Sequence, residues 1–391
     1  MRYAAITERL QGLGGDKWHV HLKAKEMRRN GEDIIFLSIG EPDLPTPQHM
    51  MDQLEVSMRS GRTAYSSGRG EHSLLDALSR KYSARTGWAV TPENFICLPG
   101  TQTALFAVMT ALTNPGDGVL TGDPLYATYD SVIRSTGAHR ISVPLDPANG
   151  FRMRAADLEK AITPESRVLL LNTPHNPTGA VLSREDIRAI GEVCERHDLW
   201  IISDEVYEEL VFDGGFASPF DDGRLAERTV VVSSISKSHA APGFRSGWCA
   251  GPVEFCERLL PLAEAMLFGS QPFIADMTAE ALSKPSEAAA AMRASFKRRA
   301  DLIRMEIGNS DKIQCHAPAS GMFLLADIRR TGLSGTAFAI GLLEQEKVAV
   351  MPGESFGEQI NGFIRLSLTV SDETIVEACK RMKRFADRSG A

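Results

Sequence analysis

Hydrophobic and polar positions alternate along this chain in two periods. Residues 16 to 30 carry apolar positions at helical spacing with a polar end, so an amphipathic helix is expected there, stopped by "NGED". "IIFLSIG" then reads as a short strand running into the Pro-rich "EPDLPTP", a turn that marks a domain junction. From about residue 48, helical stretches alternate with short apolar runs: "FICL", "GVLTG", "RVLLLN", "LWIISD" and "RTVVVSS". Strands that are apolar throughout and separated by helices predict a mostly parallel sheet covered on both faces, an α/β fold.

After about residue 285 the texture changes. The alanine-rich "SEAAAAMRASFKRRADLIRMEI" predicts a helix, followed by strand-like "GMFLLADI", a helix near 335 to 347, the strand "FIRLSL" and a carboxy-terminal helix. This pattern predicts a large domain over 48–284 and a smaller α+β domain built from 1–47 and 285–391. In an open parallel sheet, ligand groups gather beyond the carboxyl ends of the strands. The polar clusters obey that rule: "PGTQTAL" follows "FICL", "NTPHNPTG" follows "VLLL", "SDEVYEEL" follows "LWII", and "SSISK" follows "TVVV".

Composition narrows the function classes. With 43 Lys+Arg against 50 Asp+Glu the formal charge is -7, and no basic tract is dense enough to neutralise a run of phosphates, which argues against a nucleic-acid partner. Six scattered cysteines (Cys97, Cys194, Cys249, Cys256, Cys315, Cys379) form no C-x-x-C pair and read as reduced core thiols, with no metal site expected. No apolar run approaches the ~20 residues of a membrane span, and the amino terminus lacks an uninterrupted apolar stretch. A cytoplasmic chain without membrane contact is expected.

The chemistry concentrates in "SSISKSHAAPGFRSGW". Lys237 stands just past a buried-type strand among small and hydroxyl residues, a setting that suits a lysine that loses its proton and attacks a carbonyl. A Schiff-base lysine paired with an acid for a pyridinium nitrogen is the protein's share of pyridoxal phosphate chemistry, and Asp204 at the end of "LWIISD" is the candidate acid. "LPGTQTAL" is a strand, a glycine turn and a helix start, where the N–H groups of Thr101 and Gln102 can meet an anion. Arg245, Ser234 and Ser236 complete a phosphate cup, the guanidinium by paired charge-assisted bonds.

These motifs, together with "LSIGEPDLPTP" and "AYSSGRGEHSLLDAL", make the chain resemble the class I/II, aspartate-aminotransferase-like, fold type I pyridoxal-phosphate enzymes over nearly its whole length. The resemblance implies pyridoxal 5′-phosphate as cofactor and Lys237 as the lysine of the internal aldimine and proton carrier. It implies Asp204 as ring-nitrogen partner, and Asn176 and Tyr207 as donors to the phenolic oxygen. Tyr126 corresponds to the ring-stacking aromatic, and Arg365 with Gly40 to the group around the substrate α-carboxylate. Tyr65 corresponds to a phosphate contact from the other subunit, which implies a homodimer with shared sites. The implied reaction is ping-pong transfer of an amino acid's α-amino group to a 2-oxo acid, with β-elimination from a sulfur amino acid as the alternative outcome of the same chemistry.

Two departures stand out. A subgroup with a lysine in the cup turn pairs it with a dicarboxylic substrate's distal acid; Gln102 stands there instead, so aspartate is not the expected donor. Leu44 replaces the aromatic usual after "GEPD". His175 and His239 flank the motifs in sequence.

Overall fold

The computed structural model describes residues 1–13 and 15–389. A short strand β1 (Ile35–Phe36) precedes the strands of the main sheet: β2 (Phe95–Leu98), β3 (Gly118–Asp123), β4 (His139–Pro144), β5 (Ser166–Asn172), β6 (Trp200–Asp204), β7 (Thr229–Ser234) and β8 (Gly247–Ala250). Their order is β2-β8-β7-β6-β5-β3-β4. Every neighbouring pair is parallel except the two that involve β8, which runs against both β2 and β7. The α/β expectation therefore holds, and β2, β5, β6 and β7 all deliver their carboxyl ends to one rim.

The sheet is apolar on both sides. β2, β3, β7 and β8 are buried at every position, because helices cover both faces. One core packs Ile96, Leu98, Val168, Ile202 and Val230 under the helix Gly100–Leu112. Another packs Leu120, Leu169 and Ile201 under the helix Arg184–Arg196. That second helix is started by a reciprocal cap: Asp186 N–H donates to Ser183 Oγ, and Ser183 N–H donates to Asp186 Oδ2.

The remaining strands are β9 (Gln314–Cys315), β10 (Phe323–Asp327), β11 (Val348–Ala349), β12 (Met351–Pro352) and β13 (Phe363–Ser367). β12-β13-β10-β9 form an antiparallel sheet, while β11 pairs in parallel with β1. Their core gathers Val20 and Ala24 with Phe296, Leu324, Phe338, Leu366 and Met382, drawn from both ends of the chain. The helices expected after residue 285 are present as Glu287–Ile307, Gly335–Glu346 and Asp372–Arg388.

Two expectations need correction. "IIFLSIG" supplies only Ile35–Phe36 as strand; Ser38 and Gly40 are occupied with side chains of the cavity described below, so their backbone leaves the ladder. The helix expected over 16–30 begins as a tighter 3-10 turn, Gly15–Trp18, and is α-helical only over His19–Arg29. Among the described residues no helix is long and apolar enough to cross a membrane.

Candidate active site

A cavity of about 280 Å³ opens at the rim where β2, β5, β6 and β7 end. It is lined by Gly40, Thr101, Gln102, Tyr126, Asn176, Asp204, Tyr207, Ser234, Ser236, Lys237, Arg245 and Arg365, twelve of the thirteen residues singled out from sequence. The thirteenth, Tyr65, is not brought to the cavity within one chain. Tyr65 is 87% exposed, and its ring meets Phe268 edge-on, 5.4 Å between centroids. His175 and His239 lie outside the lining. His175 Nδ1 bonds Thr178 Oγ1 at 2.7 Å, and His239 bonds Ser238 Oγ and the Ala281 carbonyl. Burial holds the His175 imidazole down at about 4.

Lys237 sits on the single-turn helix Ile235–Ser238 that follows β7, capped by Ser234, whose Oγ accepts from Ser236 N–H. Its Nζ donates to the Gly40 carbonyl at 2.9 Å. Burial, opposed by Glu41 and assisted by Arg365 and Arg245, lowers the ammonium to about 8. A lysine with a substantial amine fraction near neutral pH is a nucleophile and a proton carrier. Gly40 has no room for a side chain: a Cβ there would stand 2.2 Å from the Phe323 ring.

Asp204 is buried at the end of β6. Tyr129 Oη donates to its Oδ2 at 2.7 Å and Val206 N–H to its Oδ1 at 3.3 Å. Among the described residues no cationic side chain forms an ion pair with it, and burial, despite those two donors, pushes its carboxyl up to about 6. Such a carboxyl is suited to a cation that arrives from outside the chain.

Arg365, in the centre of β13, is also buried, and among the described residues no carboxylate pairs with it. Its Nη1 donates to Asn176 Oδ1 and its Nη2 to the Ser38 carbonyl, both at 2.9 Å. The guanidinium lies between two rings, 3.8 Å from the Phe323 centroid and 4.3 Å from that of Phe356. Its Nε is buried with no partner, and burial lowers the group to about 10. A buried donor left open on a cation points to an absent anion. The other bond of the Asn176 side chain is from Nδ2 to Tyr207 Oη, at 3.4 Å.

The third cluster stands at the start of the helix Gly100–Leu112, which has no side-chain cap. Thr101 Oγ1 donates to Ser234 Oγ at 3.0 Å, and Gln102 Oε1 accepts from Thr128. Arg245 adopts φ +53 and lays its guanidinium against the turn, where its Nη2 would be 2.3 Å from a Cβ on Gly100. Gly100, at φ +80, is thus required twice over: by its backbone and by the arginine. Open N–H groups, hydroxyls and a guanidinium on one turn form an anion site. Pyridoxal phosphate presents a phosphate, an aldehyde and a basic ring nitrogen, and the donor sets around Gly100, Lys237 and Asp204 fit those three features in turn.

Several lining residues were not anticipated from sequence: Trp18, Ile39, Leu105, Tyr129, Asn172 and Phe323 among them. Tyr129 had a visible signal, since it lies three residues beyond Tyr126 in "DPLYATY"; the two rings meet edge-on at 5.6 Å. Phe323 had none, because it belongs to a strand whose apolar run reads as core.

The family model for aminotransferase class I and II matches residues 32–382. The arginine–pyruvate transaminase AruH of Pseudomonas aeruginosa is 42% identical over 382 residues, covering 98% of this chain and 97% of that protein. The aspartate aminotransferase of Bacillus subtilis is 32% identical over 375 residues, covering 94% of each. Among solved structures, the aspartate aminotransferase from Rhizobium meliloti superposes with a TM-score of 0.94 at 29% identity and 99% coverage of both chains. Full-length similarity in sequence and in architecture agrees with the lysine, acid and arginine converging at the strand ends: the chain belongs to the class I and II aminotransferase family and moves the α-amino group of an amino acid to a 2-oxo acid.

Proposed function

We propose that the chain is a pyridoxal-5′-phosphate-dependent aminotransferase, cytoplasmic and homodimeric, with the cavity around Lys237 as its reaction site. The observation that carries this reading is the convergence of a lysine held near 8, an acid awaiting a cation and an arginine awaiting an anion on one cavity. When bound, the cofactor supplies an aldehyde for the amino group and a ring that draws electrons from the substrate Cα–H bond.

The remaining work falls to side chains. Lys237 would hold the aldehyde end of the cofactor through its amine and would carry the Cα proton. Asp204 would hold the ring nitrogen, and beside that cation its carboxyl would be favoured in the ionised form. Asn176 and Tyr207 present donors toward the phenolic oxygen, and Tyr126 an aromatic face. Thr101, Gln102, Ser234, Ser236 and Arg245 hold the phosphate, with Tyr65 contributed by the second subunit. Arg365, beside Gly40, holds the substrate α-carboxylate. Residues 48–284 form the cofactor-binding domain in this reading, with 1–47 and 285–391 as the smaller one.

For the donor, the described residues of the cavity wall include no cation beyond Lys237, Arg245 and Arg365. Each of these is assigned, so a distal carboxylate finds no cationic partner among the described residues of the wall. Together with the arginine–pyruvate relative, this favours a basic amino donor with pyruvate as acceptor. The test is a visible absorption spectrum of the purified holoenzyme during stepwise addition of single amino acids, followed by pyruvate or 2-oxoglutarate. The band should bleach with arginine and return with pyruvate. A protein without a visible band refutes the cofactor assignment, and pyruvate with ammonia appearing in the absence of any oxo acid replaces transfer by elimination.

A further inference from the structure

Behind the cavity wall lies a cluster of charge that none of the steps above uses. Asp204 ends β6 facing the cavity, and successive residues of a strand point to opposite faces, so Glu205 faces away. Its side chain is fully buried. It accepts from Ser203 Oγ at 2.9 Å and from Ser218 Oγ, and its Oε2 lies 3.0 Å from Arg85 Nη1. The same nitrogen reaches Glu208 Oε2 at 2.7 Å, and Arg85 Nε reaches Asp221 Oδ1 at 2.8 Å. Lys81, one turn earlier on the helix His72–Thr86, reaches Glu208 Oε1 at 2.7 Å and Glu209 Oε1 at 2.8 Å. The Arg85 guanidinium is steadied by the Tyr82 ring, 4.6 Å from its centroid.

Residues 204–209 therefore alternate in allegiance. Asp204 and Tyr207 line the cavity, while Glu205, Glu208 and Glu209 are gripped from the rear by two cations on one helix. We propose that Arg85, with Lys81, is a positioning residue for the transamination: by holding Glu205 and Glu208 it fixes the backbone between them, and so the aim of the Asp204 carboxyl and the Tyr207 hydroxyl. The inference rests on the reading of those two as groups that hold the cofactor ring.

Stability alone is a poor reason for such a cluster. Buried ion pairs recover little of their desolvation cost, and apolar side chains of similar volume fill the same space as well or better. What a forked guanidinium adds is direction. Arg85 spreads its bonds over the stretch 205–208 that leaves the strand end and over the Pro219–Asp221 turn, so two separate backbone segments are held in one register. Reaction geometry is sensitive on that scale: a misplacement of about 1 Å costs on the order of 100-fold in rate.

The test compares the parent holoenzyme with Arg85→Met, Arg85→Lys and Asp204→Asn. Four quantities are read: pyridoxal phosphate dissociation, the pH midpoint of the visible band, kcat with KM, and the melting temperature. Arg85→Met should weaken cofactor binding by about tenfold and lower kcat by roughly 10- to 100-fold with KM nearly unchanged. The band's midpoint should move, and Arg85→Lys should recover part of each effect. An Arg85→Met protein with parental cofactor affinity, band and kcat overturns the proposal, even if its melting temperature falls. Should that variant not fold, Glu205→Gln, equal in size and uncharged, is read by the same criteria. Asp204→Asn separates the two levels. If it too is parental throughout, the reading of the cavity fails; if it is crippled while Arg85→Met is not, only the positioning role falls.

Discussion

Arg365→Met removes the guanidinium at the heart of the cavity while leaving an unbranched side chain to fill most of its volume. In the substrate-free protein this cation is held by an amide oxygen, a backbone carbonyl and two aromatic faces, with no carboxylate among the described residues. Its depression to about 10 corresponds to about 3 kcal/mol of penalty on the charged form. Methionine relieves that penalty but strands Asn176 Oδ1 and the Ser38 carbonyl, at roughly 1–3 kcal/mol each. These terms oppose one another, so the unfolding free energy of the apoprotein should change by no more than about 2–3 kcal/mol in either direction.

Substrate binding has no such cancellation. Loss of one partner of a desolvated charge pair costs about 2–5 kcal/mol. At about 1.4 kcal/mol per tenfold, kcat/KM for the amino donor should fall between about 30-fold and several thousand-fold. The assay is the half-reaction followed by bleaching of the visible band, run beside urea unfolding of the same preparation. A kcat/KM within threefold of the parent would mean that the α-carboxylate is held elsewhere. An apoprotein that loses its fold would refute the description of Arg365 as a cation stored at a cost.

Lys237→Ala should still retain the cofactor noncovalently through the Gly100 turn and Asp204, yet lose turnover by several orders of magnitude; near-normal steady-state rates would sink its assignment. The Asp204 carboxyl is raised to about 6 in the folded apoprotein, so the native state holds a proton that the unfolded chain has released above about 4. Apoprotein stability from this group should therefore decline as pH rises from about 4 to 6, by up to roughly 3 kcal/mol. Urea midpoints across that range, compared with Asp204→Asn, isolate the slope, and identical slopes would contradict the burial argument. Gly40→Ala places a methyl group 2.2 Å from the Phe323 ring, an overpacking cost of about 1–3 kcal/mol, and should disturb both the Lys237 contact and the Arg365 sandwich. Unaltered melting temperature and kcat/KM would show that the ring gives way freely.

The sequence made legible what repeats locally and what is chemically distinctive. Strands such as "RVLLLN" and "TVVVSS" stood out as uninterrupted β-branched or leucine runs, and the polar residues that follow them fell at the rim. β8 did not stand out: "GWCA" has no β-branched residue, and its ladders to β2 and β7 include Gly247, whose lack of a side chain lets it lie against the Gly100 backbone, where a Cβ would stand 2.7 Å away. β4 was missed for the opposite reason, since this edge strand interleaves exposed and half-buried positions. In the cavity, Lys237, Asp204 and Arg365 announced themselves by type and setting. Phe323 and Phe356 did not, because a ring that flanks a guanidinium looks the same in sequence as one that fills a core. The rear clamp was equally hidden: Arg85 and Glu205 are separated by more than a hundred residues, and only folding pairs them.

The single reversed strand has a topological consequence. In a wholly parallel sheet each strand brings its far end to the reactive rim once, and the chain must travel back along a covering helix before it can return. Because β8 runs against β7, the segment 235–246 leaves the rim and comes back to it directly. Lys237 lies near the outward limb and Arg245 near the inward one, so a single short excursion is anchored by hydrogen-bonded ladders at both feet. The nucleophilic amine and the cation of the Gly100 turn are thus set by one span of chain. An insertion or deletion within that span should uncouple two binding points at once, whereas the far edge at β4 can vary in length without touching either.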